Sequence, residues 1–145
     1  MLAVWAMNLV QARVRPMLER ERVGAGAGFT QWPPAILGFG AGFCGSQVVA
    51  WRTILEKLGM ETRELGFTLS NTYTHVGGEV RWGRRWRYFD VQAGAFWEID
   101  GQILPWRKVR DAHPTGLVWN QAWSYGRDDY LAYLVDPELQ VEVRA

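Results

Sequence analysis

The stretch GFCGSQVVAWRTILEKLG, residues 42–59, decides how the rest of the chain is read. Val48, Trp51, Ile54, Leu55 and Leu58 recur at spacings of three and four, the stripe of an amphipathic helix, and Gly59 is the residue type that ends one. Cys44 therefore opens a helix of about four turns. At a helix start the unsatisfied backbone N–H groups and the dipole stabilise negative charge, which favours a thiolate. A lone cysteine is ordinarily a small buried hydrophobe, so it is the placement that singles out Cys44. With no second cysteine, an internal disulfide and a multi-Cys zinc site are both excluded. A reducing compartment, the cytoplasm, is the expected location.

Downstream of this helix the pattern changes to strands. Thr62 to Leu69 predicts one, Val76 to Val80 and Arg85 to Val91 two more around a Gly83-Arg84 turn, and Phe96 to Leu104 a hairpin at Asp100-Gly101. Asp128 to Val135 predicts a short helix stopped before Pro137, and Leu139 to Val143 a last strand. Upstream, Asn8, Gln11, Arg15, Glu19 and Arg22 lie opposite Met7, Val10, Val14, Met17 and Leu18, the two faces of an amphipathic helix that Pro16 kinks or divides near Arg15. The apolar run at the N-terminus is about ten residues, too short for the roughly 20 that span a bilayer, and has no signal-peptide layout. Helices first and strands afterwards favour an α+β fold with an antiparallel sheet. One domain over 1–145 is expected, divided into a helical segment 1–23, a Gly/Pro-containing loop 24–43, and the helix and sheet of 44–145.

Composition narrows the function classes. The 145 residues carry a formal charge of +1, too weak a field to argue for nucleic acid as a partner, and the mixed charges on the N-terminal helix argue against a membrane surface. Arg81, Arg84, Arg85 and Arg87 form the one local basic excess, read first as solvated turn charges. The outlier is aromatic content, with nine Trp, five Tyr and six Phe. Such side chains either fill a core or line a recognition surface. His113 beside Asp111 lacks the further histidines of a metal site, and Glu98 with Asp100 flanks a turn, so no metal is expected and neither pair is taken as a site.

Two constellations compete for the Cys44 region. Gly40, Gly42 and Gly45 spell G-x-G-x-x-G before a helix, the phosphate-cradling turn of a dinucleotide-binding unit, with Ile36-Leu37 as the only incoming strand. Pro33-Pro34 leaves that strand very short, and no strand-helix units follow. The second constellation is Cys44 with His75 and Asp90. A two-residue turn at Gly83-Arg84 and a four-residue turn at 81–84 both set His75 and Asp90 on one face, diagonal in the first register and opposite in the second. A carboxylate so placed fixes the imidazole tautomer and leaves the other nitrogen to act on a thiol. The opposite face, Val76, Val80, Trp82, Phe89 and Val91, reads as core, which leaves the His75/Asp90 face for the helix bearing Cys44. Trp86 and Tyr88 share the His75/Asp90 face and are expected to wall and dry the cleft.

In order and spacing, Gly42-Phe-Cys44-Gly-Ser-Gln47, the helix end at Leu58-Gly59, Arg63, His75 with Glu79-Val80, and Arg85-Trp86 with Phe89-Asp90 resemble the transglutaminase-like superfamily. The resemblance spans about Gly40 to Gly94 and departs from the family pattern at Gly77-Gly78 and at Val91-Gln92. It implies a papain-like core in which Cys44 is nucleophile, His75 general base and acid, and Asp90 the orienting carboxylate. It also implies acyl transfer through a thioester, on a peptide, protein or small amide, with no cofactor. The Cys44 backbone N–H is then the first oxyanion donor, with Gln31 and Trp32 as candidates for a second. The rival readings are a non-catalytic binding module on the same scaffold, using its Trp side chains and the Arg81 to Arg87 cluster, and the dinucleotide-binding turn.

Overall fold

The computed structural model describes residues 2–16, 32–69, 73–111, 116–118 and 136–145. The expected helix at 128–135, the glycine run 24–28, and Gln31, His113, Trp119 and Trp123 lie outside the described residues. Leu2–Arg13 forms α1, which buries Ala3, Ala6, Met7 and Val10 and ends where Pro16 forbids continuation. Arg15–Pro16 (β1) then pairs in parallel with Ala41–Gly42 (β2).

Between them the expected loop is corrected in part, because Pro33–Phe39 is a helix, α2. Proline suits its first turn: the fixed φ is already helical and the missing N–H had no intrahelical acceptor to lose. Gly40, at φ 73°, caps α2 in the left-handed region. The supposed incoming strand Ile36-Leu37 is thus helical, Gly40 caps that helix, Gly42 lies in β2, and Gly45 is already inside the helix that follows. Gly42 is small for a packing reason, since a Cβ there would sit 2.9 Å from the Ser46 Cβ. Parallel pairing among the described residues is confined to the two-residue β1–β2 pair, and the larger sheet is antiparallel, so the extended parallel sheet of a dinucleotide-binding unit is not built there.

Cys44–Lys57 is the predicted amphipathic helix, α3. Thr62–Leu69 (β3), Tyr73–Trp82 (β4), Arg85–Phe89 (β5) and Gln140–Arg144 (β9) make a four-stranded antiparallel sheet in the order β5-β4-β3-β9. Phe96–Ile99 (β6) pairs with Gln102–Ile103 (β7) and Gly116–Val118 (β8), and the short helix Trp106–Asp111 is α4. The Asp100-Gly101 turn has both residues at positive φ, 51° and 72°, which joins β6 to β7 with the twist a two-residue hairpin requires. The architecture is mixed helix and antiparallel sheet, α+β. No helix among the described residues is long and apolar enough to cross a membrane.

The large sheet is covered on both faces. On one, Val48, Trp51 and Leu55 of α3 pack with Val80, Phe89 and Val91, and α1 closes over them. The Trp51 ring lies 5.3 Å from that of Phe89, and its indole N–H donates to the Ala3 carbonyl at 3.1 Å. On the other face Leu65, Phe67 and Tyr88 pack with Trp97, Leu104, Trp106 and Leu139. This corrects the facing expected from alternation: α3 lies on the Val76/Val80/Phe89 side, and the His75 side is filled by aromatic side chains arriving from later in the chain. Trp82 leaves the predicted core and is 53% exposed at the hairpin end.

Candidate active site

The turn between β4 and β5 is the two-residue one at Gly83-Arg84, with Trp82 paired to Arg85 and Gly78 to Phe89. This is the register that sets His75 and Asp90 diagonal on one face. Both are buried, at 2% and 0% exposure, and His75 Nε2 lies 2.5 Å from Asp90 Oδ2. Cys44 is the first residue of α3. Its neighbour Gly45 overlies Val76, where a Cβ would stand 3.9 Å from Cγ2, and the Cys44 thiol is near enough to the His75 ring to favour its protonated form. Asp90 engages Nε2, which leaves Nδ1 as the ring nitrogen not held by the carboxylate. His75 and Asp90 are thus in direct contact with Cys44 close to the imidazole, and the helix carries Cys44 from the sheet face opposite to the one assumed.

Surrounding groups hold the pair. Phe67, directly across from His75 in the β3–β4 register, stacks on the imidazole with centroids 6.0 Å apart and planes 23° apart. The Tyr88 hydroxyl donates to Asp90 Oδ2 at 3.4 Å, and the Ala93 N–H donates to Asp90 Oδ1 at 2.9 Å. Burial by itself pushes an imidazolium down, but the Asp90 charge, its hydrogen bond and the Cys44 thiol outweigh it and raise His75 from 6.5 to about 10. His75 is thus a cation at neutral pH, set between a carboxylate and a sulfur.

Phe43 precedes the helix without a side-chain cap, and the first backbone N–H groups of α3 have no intrahelical acceptor. The Cys44 N–H, the first oxyanion donor proposed from sequence, meets that geometric requirement. Trp32, a candidate for the second donor, is the N-cap of α2, and its residue surface is 64% exposed rather than enclosed. Of the two expected cleft walls, Tyr88 is at the site, fully buried with its hydroxyl on Asp90. Trp86 is not. It stands four residues before Asp90, about 13 Å along an extended strand, and lines a separate cavity with Arg63 and Glu79.

Phe67 and Ala93 were missed from sequence. Asp90 accepts from a backbone N–H three residues on, a local bond of the kind Asp makes at turns, whereas the Phe67 partnership needs the β3–β4 register. No cluster of three or more His, Cys, Asp or Glu side chains able to hold a metal occurs among the described residues. Compared with protein-family models, curated proteins and solved structures, the chain matches none.

Proposed function

We propose that this chain is a cysteine-dependent amidase or acyl transferase, with a papain-like core of the transglutaminase-like kind, working through a thioester at Cys44. The observation that carries the reading is the buried His75–Asp90 contact of 2.5 Å, with the Cys44 thiol near enough to the imidazole to favour its charged form. A structural cysteine has no need of a charged relay behind it.

The Cys44 sulfur attacks the amide carbonyl carbon, and the carbonyl electron pair moves to oxygen, where the Cys44 N–H donates to it. As the C–O double bond reforms, the C–N bond breaks and His75 gives its Nδ1 proton to the leaving amine. Asp90 keeps Nε2 protonated and the ring aligned throughout. Neutral His75 then takes a proton from water or an incoming amine, whose attack on the thioester expels the sulfur and restores the starting charges. The substrate is a peptide, protein or small amide, and a reducing compartment such as the cytoplasm keeps the thiol available.

The test is covalent labelling of the intact protein with iodoacetamide and with peptide electrophiles, the adduct being located by mass spectrometry. Cys44 is expected to label at neutral pH, with the rate falling about a hundredfold in His75→Ala. Absence of labelling by every probe, or an unchanged rate in His75→Ala, overturns the assignment.

A further inference from the structure

A second cavity, of about 580 Å³, lies at the hairpin end of the large sheet against the segment joining β7 to α4. Its lining gathers Arg63, Arg85, Arg87, Arg107 and Lys108 around one carboxylate, Glu79. That carboxylate is fully engaged. Arg63 donates to its Oε2 through Nε at 2.8 Å and pairs through Nη2 at 2.5 Å, while the Trp106 N–H donates to Oε1 at 2.8 Å. The Arg63 guanidinium also lies over the Trp86 ring, 4.1 Å from its centroid.

The remaining four cations have no carboxylate partner among the described residues. Arg85 donates to Gln102 Oε1 at 2.9 Å, and Arg87 to the Trp86 carbonyl at 3.1 Å. Partial burial, and to a lesser extent the neighbouring Arg85 charge, push the Arg87 guanidinium below its usual value. The arginine cluster seen in the sequence is thereby divided. Arg81 pairs with Glu61 at 2.8 Å on the surface, whereas Arg85 and Arg87 join residues from α4 around a concave space.

We propose that this cavity binds a small polyanion, an organic phosphate of roughly nucleoside-diphosphate size, through Arg85, Arg87, Arg107 and Lys108, with Trp86 as an apolar wall for its organic part. Its volume falls within the range of about 300–1,000 Å³ typical of small-molecule sites. Guanidinium forks match phosphate oxygens, and a multiply charged phosphate neutralises several cations from one position, which a single carboxylate does not. This site is remote in kind from the Gly40-Gly42-Gly45 turn and shares no lining residue with Cys44, His75 and Asp90.

Calorimetric titration of the intact chain with ADP, inorganic tripolyphosphate and an Asp/Glu-rich peptide tests it. Saturable binding of ADP, competed by tripolyphosphate and weakened as salt rises from about 50 to about 300 mM, is the expected result. The double variant Arg107→Gln/Lys108→Gln is expected to bind about tenfold or more weakly while its thermal unfolding without ligand and its Cys44 labelling rate stay unchanged. No saturable binding of either phosphate at millimolar concentration, ADP binding indifferent to the double variant or to tripolyphosphate, or tighter binding of the acidic peptide each overturns the proposal.

Discussion

Asp90 uses both carboxylate oxygens, one for His75 Nε2 and the Tyr88 hydroxyl, the other for the Ala93 N–H. Asp90→Asn keeps the shape but offers one acceptor oxygen and no charge, so the imidazolium loses its counter-ion. Cys44 alkylation at neutral pH is expected to slow by about two orders of magnitude or more, measured with iodoacetamide. The same change has a thermodynamic signature. His75 titrates at about 10 folded and near 6.5 unfolded, so the folded state binds the extra proton between those values. Stability from this group is therefore full below about pH 6.5 and is lost as pH rises toward 10. Urea midpoints are expected to fall across that window in the natural chain and much less in Asp90→Asn; equal slopes would show that His75 carries no raised affinity for the proton. Pairing of His75 with Asp90 was legible because turn parity alone decides which residues share a face. Phe67 stacking on His75 was not, since it depends on how β3 slides against β4.

At the scale of elements, the adjacent glycines of β4 show what local pattern does and does not carry. A Cβ on Gly77 would lie 2.6 Å from the Tyr88 ring and one on Gly78 2.5 Å from the Trp51 ring. Each face of the strand thus admits a large aromatic from elsewhere, which is the physical content of the departure at Gly77-Gly78. Gly78→Ala is expected to cost about 1–3 kcal/mol of unfolding free energy, because two rigid elements must separate to admit the methyl group. A change below about 0.5 kcal/mol in chemical denaturation would mean that α3 is not seated on β4 as described. The hairpins and α3 were legible because their turn residues and their periodicity agree. The side of the sheet that α3 covers was not, for alternation names two faces and only the later β6–α4 segment fills the second.

For the molecule as a whole, the buried aromatics among the described residues divide between two cores, with Trp51 and Phe89 in one and Tyr88, Trp97 and Trp106 in the other, while Trp5, Trp32, Phe39 and Trp82 stay exposed. Sequence arithmetic foresaw large side chains near the site but assigned Trp86 to the wrong cavity and left Trp97 and Trp106 without a place. Both bury against the His75 face, Trp106 with its ring 4.6 Å from Phe67. Trp106→Ala is expected to destabilise by about 3–5 kcal/mol, since it removes a buried ring that touches both Phe67 and Tyr88. A loss under about 1 kcal/mol in the same measurement would place that ring at the surface.

The two-residue turn between β4 and β5 has a consequence in time as well as in space. It lets His75 and Asp90, 15 residues apart, meet through one local closure, which is fast compared with longer-range docking. Cys44 joins only when α3 seats across β3 and β4. The topology predicts that during refolding the carboxylate–imidazole pair assembles ahead of its approach to Cys44, so any activation of the thiol comes last. Timed alkylation pulses should see accelerated labelling of Cys44 only after Trp51 fluorescence, isolated by Trp51→Phe difference, has reached its native value. A growing chain in the cell would on this scheme stay chemically quiet until its final layer is in place.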